Sequence, residues 1–351
     1  MYNYFKRFLP NFVPHLNKDK MKALVLHEIN TPFTVREIPE PVAQKGEVLV
    51  KIIASGINPL DLKIKAGQAA HAGVKLPGAV LGIDMSGVVA AVGADVSRFK
   101  PGDAVFGMVG AIGGKQGTLA EYIAVDADLL AFKSKHISFS QAAALPLISI
   151  TAWEALVEKA NIQAGTKVLI HGGAGGVGHI AIQIAVSKGA EVYTTVKTDE
   201  IPLVEHLGAI AIDRSEYSVA DFMSRYPDFD GFDVILDTIG GEVLDASFQL
   251  VKRYTGHVVS ILGWGTHSLA PLSFRGGTYS GVFTLYPLLS GKNHLHHGNI
   301  LGEVARLAEA GKLLPIMDER ILPFEAADEA YRIIKNGEAK GKMVLSVSAE
   351  A

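Results

Sequence analysis

The rhythm of apolar and polar positions along this chain changes once, near residue 166. Before that point, short runs rich in Val, Ile and Thr are broken by Gly, Pro and Asp. This pattern predicts strands over Ala23–His27, Phe33–Glu37, Val48–Ala54, Gly87–Val92, Asp103–Met108 and Glu121–Val125. Residues Ser140 to Ala160 read as helical, with Ser140 as N-cap and Pro146 dividing two helices. From Thr166 strands and helices alternate: strand Lys167–His171, helix Val177–Lys188, strand Glu191–Val196, helix Pro202–Leu207, strand Ile210–Ile212. Helix Val219–Arg225, strand Phe232–Asp237, helix Glu242–Leu250 and strand Gly256–Leu262 close the run. Alternation of this kind predicts a parallel sheet with helices on both faces, and a ligand-binding edge at the strand ends. Beyond residue 285 come helix Asn299–Ala310, strand Arg320–Leu322, helix Ala326–Asn336 and strand Lys342–Val347, which return to the first, β-rich unit.

One junction carries chemistry. The strand Lys167–His171 runs into Gly173-Ala174-Gly175-Gly176-Val177-Gly178, and an amphipathic helix follows with Ile180, Ala181, Ile184 and Ala185 on one face. Gly173, Gly175 and Gly178 have the spacing G-x-G-x-x-G, which permits a tight turn, close approach to a pyrophosphate and close helix–strand packing. The free N–H groups of the helix N-terminus then face the phosphates. The strand before the turn and the helix after it make this a dinucleotide site.

Composition narrows the field. The 351 residues suit two domains; 48% are apolar and 20% charged, as in a folded globular chain. A net charge of −3 argues against a nucleic-acid partner, and no apolar run nears the roughly 20 residues that span a bilayer. There is no cysteine, so disulfides, thiolate nucleophiles and cysteine-ligated zinc are excluded, and a reducing, cytoplasmic setting is expected. Residues 1–20 mix Phe5, Phe8 and Phe12 with basic residues and two prolines, and are expected to be a disordered extension.

The tip of the second alternating strand bears on cofactor choice. It reads Tyr193-Thr194-Thr195-Val196-Lys197, with no carboxylate to accept a ribose 2′-hydroxyl. A cation with hydroxyls suits a 2′-phosphate, so NADPH is expected, with Thr195 and Lys197 as contacts. Glu200, beside Asp199, counts against that choice.

Several stretches carry a resemblance: GEVLVKIIASGINPLDLKIKAG (46–67), LGIDMSGVVAAVG (81–93), FKPGDAVFG (99–107), AAALPLISITAWEAL (142–156), the glycine turn, and GKMVLSV (341–347). In these the chain resembles the zinc-free branch of the medium-chain dehydrogenase/reductase superfamily, in particular quinone oxidoreductases and NADPH-dependent alkenal/enone reductases. The resemblance implies a GroES-like catalytic domain from residues 21–147 and 288–351, a Rossmann NADPH-binding domain over 148–287, and a substrate cleft between them. Zinc-dependent relatives have cysteine at the position of Asn58 and a His-Glu pair at Ile83-Asp84, so no metal is expected here.

The resemblance also implies cofactor contacts at Thr151, Leu262, Gly263 and Lys342, and a second 2′-phosphate candidate at Arg214. It implies homodimerisation through the sheet edge near Gly256–Leu262. The expected reaction is hydride transfer to the double bond of an α,β-unsaturated carbonyl or to a quinone, the negative charge meeting donors at Asn58 and Lys63. Lysine at position 63 resembles the enone-reductase side. Asp61 is expected to orient this loop, or to pair with Lys63 or Lys65. Trp153, Phe283 and Tyr286 are candidate substrate walls. His294, His296 and His297 are expected in a surface loop. The alternatives are a broad quinone reductase and a low-turnover NADPH-binding structural or regulatory protein.

Overall fold

The computed structural model describes residues 19–216, 218–224 and 229–349. The expectation of a disordered arm therefore falls, for residues 1–18, outside the described residues. Lys20 already belongs to the first strand, Lys20–Leu26.

Among the described residues, six parallel strands form one sheet in the order Ile210–Asp213, Glu191–Val196, Lys167–His171, Val234–Asp237, His257–Ser260, Thr278–Gly281. This is the doubly wound order, with its reversal beside the glycine turn. Alternate residues of Lys167–His171 serve opposite faces. Val168 and Ile170 join a cluster with Ile180 and Ile184 of helix Gly176–Ser187. Leu169 joins Leu244 and Phe248 of helix Glu242–Leu250 on the other face. The outermost strand, Thr278–Gly281, is polar and short, and the periodicity missed it. Because it covers His257–Ser260, the expected dimer edge near Gly256–Leu262 is interior; Thr278–Gly281 is the open edge on that side of the sheet.

A largely antiparallel sheet is built around Glu47–Gly56, which pairs with Asp84–Val92, Tyr122–Asp126 and the C-terminal strand Lys342–Ser346. Val344 lies opposite Gly56, which brings the start of the last strand beside Asn58. The chain's return to its first unit is thus a strand pairing. Fold and element types agree with the Rossmann-plus-GroES-like expectation.

Two local readings are corrected. The helix cap near residue 140 is Ser138, whose hydroxyl accepts from Gln141 N at 3.1 Å, because Gln141 bonds back to Ser138 N. The histidine segment is not a loop: helix His294–Glu309 begins there, and His294 and His297 are buried. His294 Nδ1 lies 2.8 Å from Asp126 Oδ2, a long-range contact that flanking Gly and Asn residues could not reveal.

Candidate active site

A cavity of about 1630 Å³ runs between the two sheets, past the glycine turn. At the turn, Gly172 takes φ +75°, a conformation that disfavours side chains. A Cβ on Gly173 would stand 2.1 Å from Thr194 Oγ1, and one on Gly178 2.1 Å from Gly172 O. These two glycines therefore permit packing and do not line the cavity. Ala174, Gly175, Gly176 and Val177 do line it. Gly175 caps helix Gly176–Ser187, whose first turn of N–H groups has no carbonyl partner within the helix. The cradle thus fits a dinucleotide pyrophosphate.

Two histidines absent from the sequence reading shape this cradle. His179 Nε2 accepts from Ile316 N at 3.1 Å, so its Nδ1–H donates to Gly175 O at 2.8 Å. His171 Nδ1 lies 3.2 Å from Thr195 Oγ1, which also accepts from Gly172 N. Burial lowers both imidazoles to about 4, so both are neutral near pH 7. Thr195 lines the cavity, but its hydroxyl is engaged in holding the turn.

Opposite the cradle lies a buried charge network. Lys342 Nζ donates to Ile57 O at 2.7 Å and to Asn58 Oδ1 at 2.6 Å. Asn58 Nδ2 donates to Asp84 Oδ2 at 2.9 Å, and Asp84 also accepts from Leu147 N. Asp61 Oδ2 accepts from Asn58 N at 2.8 Å, fixing the start of helix Pro59–Lys65. Burial raises Asp61 to about 7 and Asp84 to about 6; Lys342, pushed down by the same burial, draws both back. Lys342 and Asn58 line the cavity and are joined to each other through Lys342 Nζ and Asn58 Oδ1.

Further out, Lys63 is exposed and lines the cavity, and its ammonium has no hydrogen bond or ion pair among the described residues. At the far end, the wall contains Asp199, Glu200, Arg214 and Ser218. Lys197 is not part of that wall; its backbone N–H donates to Glu200 Oε2 at 2.9 Å. Thr151 and Leu262 line the cavity, whereas Gly263 lies against Tyr279.

Residues 44–135 match the alcohol dehydrogenase GroES-like domain, and residues 207–345 match a family described as zinc-binding dehydrogenase. The chain is 35% identical over 313 residues to the chloroplastic NADPH-dependent alkenal/one oxidoreductase of Arabidopsis thaliana, covering 87% of this chain and 73% of that one. An alcohol dehydrogenase superfamily protein from Novosphingobium aromaticivorans matches with TM-score 0.90 and 48% identity, over 93% of this chain and 100% of that one. The quinone oxidoreductase from Coxiella burnetii matches with TM-score 0.78 and 30% identity, over 94% and 100%. The chain belongs to the zinc-free branch of the medium-chain dehydrogenase/reductase superfamily. It is a nicotinamide-dependent oxidoreductase.

Despite the matched family's description, the positions that carry zinc ligands in zinc-dependent relatives hold, in this oxidoreductase, Asn58, the apolar Ile83, and an Asp84 whose oxygens are already bonded. The Lys342 ammonium beside them opposes a further cation. Several expected roles change accordingly. Asn58 is a buried bridge between Lys342 and Asp84, so its amide is not a free donor to substrate. Asp61 orients its helix but pairs with neither lysine; Lys65 pairs with Asp328 at 2.9 Å. The Lys342 ammonium gives two of its three N–H groups to Ile57 and Asn58, and the residue lines the cavity beside Gly176. Of the proposed aromatic walls only Phe283 lines the cavity; Trp153 is buried beneath Lys188, and Tyr286 is exposed outside the lining. The wall also contains His71 and Trp264, which no periodic pattern singles out.

Proposed function

We propose that this chain reduces the carbon–carbon double bond of α,β-unsaturated carbonyls with NADPH and without zinc. The observation that carries the reading is Lys63, an unpaired cation on the cavity wall, combined with a metal position filled by the Lys342–Asn58–Asp84 network. When bound, the reduced nicotinamide supplies the hydride and is oxidised. At the substrate, a C–H bond forms at the β-carbon, the π pair moves onto the carbonyl oxygen, and a proton given up by a water molecule to the α-carbon, as the enolate collapses, completes the reduction. The protein's task is to meet the charge on that oxygen. Lys63 can do so as a cation, since its ammonium has no hydrogen bond or ion pair among the described residues. The glycine turn and Thr151 would hold the dinucleotide.

Arg214 on the cavity wall supports NADPH over NADH, as does the likeness to the NADPH-dependent alkenal/one oxidoreductase of Arabidopsis; a tomato 2-methylene-furan-3-one reductase, 36% identical, supports the enone class. Lys197 lends less support than its sequence position suggests, and Glu200 opposes. A second reading, quinone reduction, is favoured by the Coxiella relative. A homodimer would form through the open edge at Thr278–Gly281, where Tyr279 is partly exposed and Phe274 and Tyr254 nearly fully so.

The test is a panel of enones, alkenals and quinones assayed by NADPH oxidation, repeated with NADH and after chelator treatment. Enone turnover that prefers NADPH and survives the chelator is the expected result. Turnover restricted to quinones would favour the second reading. Loss of activity to chelator with recovery on adding zinc would overturn the zinc-free mechanism. NADPH binding without turnover of any acceptor would point to a regulatory role.

A further inference from the structure

Three aromatic rings meet across the cavity. His71, in the short turn Ala70–Ala72, lies 5.5 Å from the ring of Trp264 at an interplanar angle of 34°. It lies 6.2 Å from the ring of Phe283 at 55°. All three side chains line the cavity. Trp264 is 59% exposed and Phe283 42%, whereas the chain's other tryptophan, Trp153, is 8% exposed. Rings this open are not core packing; they present apolar surface to the cavity.

The backbone beneath Trp264 is secured. A Cβ on Gly263 would stand 2.2 Å from Tyr279 Oη, so glycine here lets the tyrosine hydroxyl lie against the chain. Trp264 N donates to Leu262 O at 2.8 Å. His267 Nε2 lies 3.1 Å from Trp264 O, and His267 Nδ1 lies 2.8 Å from Asp245 Oδ1 on helix Glu242–Leu250. The Asp245 carboxylate raises the His267 pKa, which favours the doubly protonated ring that donates to both oxygens. The indole is therefore presented from an anchored loop at one side of the cleft, with Lys63 and Leu60 also on the cavity wall.

We propose that His71, Trp264 and Phe283 form a specificity wall that takes a flat, conjugated ring attached to the reacting double bond, so that aryl-substituted enones are the preferred substrate class. The inference rests on the enone-reductase reading and adds the substituent. A conjugated ring stacks face-on or offset against Trp264, and the planar link from ring to alkene to carbonyl directs the oxygen towards Lys63. A puckered saturated ring of the same carbon count fills similar volume but cannot stack. Trp264 and its neighbours act on selectivity, not on the hydride or proton.

The experiment compares 4-phenyl-3-buten-2-one with 4-cyclohexyl-3-buten-2-one, both with NADPH, in the wild type, Trp264→Leu and Trp264→Phe. The wild type is expected to favour the phenyl compound by about 3–10-fold in kcat/KM, the range of one aromatic pair. Trp264→Leu should bring that ratio close to one, mainly through KM, and Trp264→Phe should restore most of it. If Trp264→Leu fails to fold, as judged by circular dichroism, Phe283→Leu provides the same comparison. A wild-type ratio of one or below, or a ratio unmoved by these variants, overturns the wall while leaving the enone reading intact. Failure of the wild type to reduce either enone overturns both.

Discussion

Lys342 Nζ donates to Asn58 Oδ1 at 2.6 Å, joining two residues 284 positions apart in the chain. This bond ties the C-terminal strand to the loop that opens helix Pro59–Lys65, and through Asn58 it reaches Asp84. A buried ammonium thus faces two buried carboxylates, those of Asp84 and Asp61. Replacing Lys342 with Met keeps the stem and removes the charge. The variant should lose about 3–5 kcal/mol at pH 8, as expected for breaking a buried ion network. The loss should shrink at pH 5, where both carboxyls are protonated in the folded protein and need no counter-charge. Urea midpoints at the two pH values measure the difference, and an equal loss at both would rule out the charge argument.

Asp61 ionises at about 7 in the folded protein because burial disfavours its charged form, against 3.8 for the ordinary group. Between those values the folded chain holds a proton that the unfolded chain has released, so stability falls as pH rises from about 4 to 7. The same holds over a narrower window for Asp84, at about 6. Asp61→Asn keeps an acceptor for Asn58 N but cannot ionise. It should be more stable than wild type at pH 8, on the order of 1–3 kcal/mol, and nearly equal to it at pH 4. Thermal melts across that range would show the curves converging at the acid end.

Lys63 is expected to meet the developing oxyanion. Lys63→Ala should lower kcat on enones by ~10²–10³ with little change in the affinity for NADPH. Lys63→Arg, which keeps the cation, should recover part of the rate. Unchanged turnover of every accepted enone by Lys63→Ala would remove the assignment.

Two glycines of the turn should separate packing from binding. Gly178→Ala would push a methyl to 2.1 Å from Gly172 O, a backbone atom that cannot step aside, and should cost at least about 1–3 kcal/mol of stability. At Gly176 the nearest atoms to a Cβ are 3.7 Å away, Ile148 Cγ2 among them, so Gly176→Ala should fold normally. Its methyl enters the cavity, however, and NADPH affinity measured by fluorescence titration should drop.

Arg214 is the cavity-wall cation nearest in sequence to the second strand's tip. Arg214→Ala should weaken NADPH binding about 10-fold or more while sparing NADH, since charge-assisted bonds to a 2′-phosphate would be lost. Parallel titrations with the two cofactors would detect this, and equal losses for both would exclude a 2′-phosphate role.

Local patterning was enough to reveal the alternating strands and helices, because each strand of the parallel sheet is an apolar run bounded by turn residues. The glycine turn was legible for the same reason: its spacing, its strand and its helix are contiguous. The strand Thr278–Gly281 was not, because an edge strand needs no apolar run to pair. The sequence by itself determined the two-part architecture, the dinucleotide cradle and the absence, at positions 58, 83 and 84, of the cysteine and His-Glu pair of the zinc-dependent relatives. Only the tertiary structure decided what stands there instead. Hydrogen bonds from Asn58 to Asp84, 26 residues away, and from Lys342 to Asn58, across nearly the whole chain, depend on strand pairing rather than on local propensity. The same dependence moved Asn58 from free donor to buried bridge, removed Lys197 from the cavity wall and brought His71 to Trp264.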